Sequence, residues 1–233
     1  MEAQRGSGTA VVTACPGDRH KEETHPMDTF SALLVGLLAG WALRMHDQRT
    51  RITLLGRHLA NLQIERHMET LTQGYTRAIH EATEARQLQV LARFAQAEQA
   101  VAAQAQRLAD ALQKEDAQAT RISLLPVHIP YATRFLPIPT RDFRQVLQIH
   151  AAGLRRAADN VAGWDAKTRA YHLSAELYLL QHSCHWFCKS RAVANARLML
   201  RHQVDYQKVL DSVSDATRAA YRQWLQGAGQ AAH

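Results

Sequence analysis

The sequence predicts an all-α protein, and three observations carry that prediction. Glycine and proline are sparse, 11 and 6 among 233 residues, and four of the prolines (Pro126, Pro130, Pro137, Pro139) share one short stretch. On either side run long segments rich in Ala, Leu, Gln and Arg, whose side chains lose little rotamer freedom in a helix. β-Branched residues nowhere gather into the alternating runs a sheet requires. With 46% hydrophobic and 21% charged residues, the composition is that of a chain able to fold around an ordinary core.

Residues 1–27 read as an unstructured leader of Gly, Ser, Thr, Pro and mixed charge without an apolar period. The change of character at Met27 makes that residue a second candidate start. Phe30 to Leu43 is the most hydrophobic stretch and carries no charge. Taken strictly it makes about 21 Å of helix, short of the roughly 30 Å of a bilayer core. Extended over residues 28–45 it becomes workable, with Trp41 near the headgroups and Arg44 able to snorkel. A single transmembrane anchor is the preferred reading. A buried or interfacial helix and a cleaved signal peptide ending near Ala42 are the alternatives.

Arg44, Arg49, Arg51 and Arg57 follow this stretch, whereas Arg19 and Lys21 precede it. The positive-inside rule then assigns a single-pass topology at the inner (cytoplasmic) membrane, with the C-terminal bulk in the cytoplasm. A plainly cytoplasmic protein is the alternative. Ala32, Gly36 and Gly40 recur every four residues, a spacing that lets two helices approach closely in lipid, so self-association into a homo-oligomer is expected.

Residues 46–120 contain no proline and only Gly56 and Gly74, which predicts either one long helix able to form a coiled coil or a hairpin of 46–73 and 75–119 hinged at Gly74. The apolar rhythm runs through Ile52, Leu55, Leu59 and Leu62, then Leu91, Phe94, Val101, Ala105, Leu108 and Leu112, with Glu98 occupying one apolar slot. Residues 121–140 form a proline-rich connector whose apolar side chains are expected to bury by alternation across a helical surface.

A basic C-terminal helical domain is expected over 141–226, then a short tail, 227–233. Thr140 is the expected cap of its first helix. Asp165 caps a second running unbroken to about Val209, and Ser214 caps the last. Residues 122–233 carry 14 Lys/Arg against 7 Asp/Glu, which accounts for the whole net charge of +7. Arg197 with Arg201, and Arg218 with Arg222, share helix faces and are candidate polyanion contacts. Lipid headgroups of the inner leaflet are the preferred polyanion, because no nucleic-acid-binding signature accompanies the charge.

Cys184, His185 and Cys188 form a candidate metal or thiol site, with His150 or His172 as a further ligand. The opposing reading places Cys184 in a packing stripe with Leu173, Leu177, Leu180, Phe187, Ala194 and Leu198, interrupted by Arg191. Packing is preferred. No nucleotide-binding, nucleophile-elbow or metalloprotease motif is present, so neither an enzyme nor a cofactor is expected. The functional expectation is a membrane-anchored structural or adaptor protein that binds a protein partner. A peripheral module binding polyanions through the basic half is the alternative.

Overall fold

The structure is a computed structural model and describes residues 26–227. The expected leader therefore lies outside the described residues, except that Pro26 and Met27 open the first helix. Cys15 and the tail beyond Gly227 also lie outside them.

Ten helices and one short hairpin of strands make up the described residues, so the all-α prediction holds. In chain order they are α1 (Pro26–Leu59), α2 (Ile64–Ile79), α3 (Glu84–Ala92), α4 (Ala95–Leu112), β1 (Arg121–Ser123), α5 (Ala132–Phe135), β2 (Thr140–Asp142), α6 (Phe143–Ala158), α7 (Ala166–Cys188), α8 (Arg191–His202), α9 (Tyr206–Ser212) and α10 (Asp215–Gln226). The chain divides into two compact units, one up to Ala39 and one from Gly40 onward. In the first, the residues from Thr29 to Ala39 are all exposed.

The second unit owes its arrangement to apolar spacing. Ile64, Met68, Leu71, Tyr75 and Ala78 fall at 4-3-4-3 intervals and bury one face of α2. Val101, Ala105, Leu108 and Leu112 do the same for α4. The small residues Ala102, Ala105 and Ala109 let α4 lie close against both α2 and α6. Helix α7 is central: it packs on α6, α8 and α9 and buries residues around most of its circumference, from Ala170 to Phe187. Phe143 of α6 stacks on Phe187 of α7 at 4.3 Å between ring centres.

Residues 46–120 are neither one helix nor a hairpin hinged at Gly74. The breaks fall at Ala60–Gln63, at His80–Thr83 and at Arg93–Phe94. Gly74 lies inside α2, buried, where a Cβ would run into the ring of Phe94. Phe94 stands at the α3–α4 bend and meets Tyr75 edge-on at 5.8 Å. Gly74 thus provides close approach, and Phe94 marks the turn.

Three further expectations are corrected. Thr140 pairs in β2 opposite Ser123, and Asp142 caps α6 by accepting from the Arg144 amide at 2.9 Å. The helix begun by Asp165 ends at Cys188, because Ser190 turns the chain and caps α8 through the Val193 amide. The connector does not bury alternate side chains. Ile122 and Ala132 are buried, whereas Val127, Ile129, Phe135 and Leu136 are 43–73% exposed. Asp165 and Ser214 cap α7 and α10 as expected.

Gly74→Ala tests the corrected role of this residue. Alanine in place of a helical glycine gains about 1 kcal/mol of helix propensity. Crowding a packed ring costs about 1–3 kcal/mol. We expect a net loss of about 1 kcal/mol in denaturant unfolding; a gain in stability would contradict the close approach to Phe94.

Candidate functional site

The feature that sets this chain apart is the helix α1 and the polar junction that follows its apolar stretch. Among the described residues, one helix is long and apolar enough to cross a membrane, and it lies near the N-terminus. None of its most apolar window is buried. Leu33, Leu37 and Trp41 are 68%, 72% and 64% exposed. Gly36 and Gly40 face open space, and Ala32 and Arg44 are also exposed.

Directly after this stretch the helix becomes polar and buried. Asp47, Gln48 and Arg51 are each at most 9% exposed. Arg51 pairs with Asp47 one turn away at 3.5 Å. It also donates to the carbonyls of Arg121 at 3.0 Å and Phe187 at 3.5 Å, and its guanidinium lies 5.5 Å above the Phe187 ring. Asp47 accepts from the Tyr131 amide at 3.1 Å and meets His128 at 3.1 Å. Tyr131 adopts φ +55°, a left-handed conformation that a non-glycine residue holds only when its neighbours fix it. The Asp47 carboxylate and the His46 ring, 2.7 Å from the Tyr131 hydroxyl, supply that fixation. Lys189 donates to Gln48 at 2.9 Å, which joins the α7–α8 turn to the same stretch. The connector and α1 are thus tied together by polar groups that alternation of apolar residues does not reveal.

The structure keeps Cys184, His185 and Cys188 near one another without forming a ligand set. Both thiols are free and pack against the core. Burial raises both, Cys188 to about 11 and Cys184 further, so they stay protonated at neutral pH. His185 accepts from Arg197 at 3.0 Å, and burial with the neighbouring Arg197 and Arg201 pushes it down to about 4. His172 meets the Ser212 carbonyl at 2.9 Å, and His150 is hydrogen-bonded to Ser183 at 2.8 Å. Among the described residues, no three His, Cys, Asp or Glu side chains converge as a metal site would require. Arg191, the interruption in the stripe, lies over Trp186 and Tyr206 at 5.4 and 5.2 Å.

The candidate polyanion contacts divide in two. Arg218 pairs with Asp215 and donates to the Asp211 carbonyl, and Arg222 meets the Asp211 carboxylate at 3.2 Å. Carboxylates of the protein itself therefore already face these two. Arg197 and Arg201 are exposed. Arg201 lines a cleft of about 450 Å³ between α2 and the α7–α8 pair, beside Glu65, Glu69 and Gln181, so that cleft has mixed charge.

The pairing of His150 with Ser183 and the burial of Glu176 were not recognised from sequence. His150 and Ser183 sit together at 0% exposure, and burial pushes His150 down to about 3. Glu176 is also at 0% exposure and accepts from the Ser214 amide at 3.3 Å and its hydroxyl at 3.1 Å. Gly153 of α6 makes room for the Glu176 carboxylate and Thr217. Burial raises Glu176 to about 7. The chain matches no family model, and no curated protein or solved structure resembles it at significance.

Two predictions come from these groups. Arg51→Met removes the cation from Asp47 and the donor from the Arg121 and Phe187 carbonyls, and should cost about 3–5 kcal/mol. Asp47→Asn keeps an acceptor for the Tyr131 amide and leaves Arg51 on its two carbonyls, so about 1–2 kcal/mol is expected. The reverse order in denaturant unfolding would refute this account of the junction.

The folded protein holds the Glu176 proton up to about pH 7, whereas the unfolded chain releases it near the ordinary glutamate value of 4.5. Protonated Glu176 is therefore tolerated at low pH, and its ionisation erodes stability as pH rises from about 4.5 to 7. Glu176→Gln should gain on the wild type by about 3 kcal/mol between pH 4 and pH 8. Parallel unfolding midpoints at the two pH values would contradict it.

Proposed function

We propose that this protein is a single-pass protein of the inner (cytoplasmic) membrane whose helical body acts as a structural or adaptor element for a protein partner. The observation that carries the reading is the charge-free stretch Phe30–Leu43, whose large apolar side chains are all at least 47% exposed. An interfacial amphipathic helix would need a charged face opposite its apolar one, and this stretch has none. Orientation with the body in the cytoplasm is supported by Arg44, Arg49, Arg51 and Arg57 behind the stretch. The exposed line of Ala32, Gly36 and Gly40 supports self-association through close helix contact in lipid. Catalysis is not part of the proposal: the His150–Ser183 pair, the nearest approach to a base and a nucleophile, is sealed from solvent.

The test is fractionation of the full chain beside a version lacking residues 1–45, with salt and alkaline washes of the membrane pellet. The full chain should resist both washes and the shortened one should stay in the supernatant. Crosslinked dimers in the alkali-resistant pellet should fall on Gly36→Leu. Release of the full chain by salt alone would replace the anchor with electrostatic attachment through the basic half.

A further inference from the structure

We propose that the connector between β1 and β2 is a second membrane contact, whose exposed apolar side chains seat in the lipid headgroup layer beside the anchor. The inference rests on the anchor reading above. Phe135 is 73% exposed, Val127 55%, Leu136 50% and Ile129 43%, all within ten consecutive residues. Leaving such side chains in water forgoes roughly 1.5–3 kcal/mol each relative to burial, so four in one loop call for an occupant.

The loop's attachment point identifies that occupant. Its middle is held by His46 and Asp47, through the Tyr131 hydroxyl at 2.7 Å and the Tyr131 amide at 3.1 Å. Arg51 reaches the Thr133 hydroxyl at 3.4 Å, close to Phe135 in the chain. Asp47 follows Leu43, the end of the charge-free stretch, by four residues. At 1.5 Å per residue that is about 6 Å of helix. A headgroup layer is roughly 5–8 Å deep on each side of the hydrocarbon core. A loop tied to the helix at that height belongs to the headgroup layer once residues 28–45 span.

Its chemistry suits that layer. Arg134 is exposed and lies 5.6 Å over the Phe135 ring. Arg44 and Arg49 are exposed on the same helix on either side of Asp47. Aromatic rings with adjacent guanidinium groups are what an interface with anionic phosphates favours. The Asp47 carboxylate, the one acid among the clamp contacts, is engaged by His128, Arg51 and the Tyr131 amide.

Benzoylphenylalanine is placed singly at Leu37, Phe135 or Leu200 in the full chain. Each variant is reconstituted in vesicles of phosphatidylcholine and phosphatidylglycerol, then irradiated. Leu200 serves as a reference because it is 83% exposed on α8. Position 135 should form lipid adducts several-fold above position 200, as should position 37, with helicity unchanged by circular dichroism. Adducts at 37 but not at 135 would overturn this inference and leave the anchor standing. Adducts at neither would overturn both. Equal adducts at 135 and 200 would mean indiscriminate surface contact, and a protein adduct at 135 would assign the loop to a partner or a second copy.

Discussion

The burial of Asp47 and Arg51 in one helical turn is the constraint on which the junction depends. A charged pair taken out of water is stable only if further hydrogen bonds satisfy it. Here two carbonyls accept from Arg51, Asp47 accepts from the Tyr131 amide, and His128 lies 3.1 Å from Asp47. Those partners come from β1, the connector and the end of α7. The apolar contribution of α1 to the second unit is small by comparison, with Leu54 and Leu55 its buried large side chains. The direction of the helix beyond residue 46 is therefore set by polar geometry, which is directional, and only secondarily by apolar packing, which is not.

The same device recurs deeper in the body. Glu98 interrupts the apolar face of α4, yet it is 2% exposed, receives the Tyr75 hydroxyl at 2.7 Å and pairs with Arg169 at 3.1 Å. It thereby fixes α2, α4 and α7 at a single register. Glu176 does so for α7 and α10, and His182, bonded to Asn195 at 2.7 Å, does so for α7 and α8. Packing among alanines and leucines tolerates sliding by a turn at modest cost, whereas a buried carboxylate one turn out of place would lose its donors. In an Ala-rich helical core these few polar contacts choose among otherwise similar packings.

This explains which parts of the fold were legible in the sequence. Caps were, where an acid or hydroxyl stood alone before a helical run, as at Asp165 and Ser214. The packing stripe through Leu173, Leu177 and Phe187 was, because its period is local. Gly74 was misleading: an isolated glycine signals a hinge from propensity, but here a distant aromatic ring decides its role. Breaks at Ala60–Gln63 and Arg93–Phe94 carry no proline or glycine, and they arise because α2 and α4 must return to bury their faces. The junction was least legible. Asp47 reads as a surface acid after a hydrophobic run, and nothing local ties it to Tyr131 or His128. The apolar stretch itself was legible, whereas its attachment was not.

The exposed helix and the buried junction constrain the protein together. From Phe30 to Leu43, eight large apolar side chains stand open, and at roughly 1.5–3 kcal/mol each their exposure to water forgoes on the order of 10 kcal/mol. That is comparable to the whole stability of a typical domain. Covering these side chains is therefore as large a term as folding a typical domain. Under the proposed anchor, lipid would cover these side chains without any complementary surface, whereas a soluble partner would have to match a charge-free stretch. The junction then acquires its physical sense. In the proposed topology Asp47 lies about 6 Å of helix beyond Leu43, and Arg51, one turn further, ties it to β1 and the end of α7. On that proposed reading, the loop that Asp47 fastens, with Phe135 and Leu136 exposed, would lie at the same boundary.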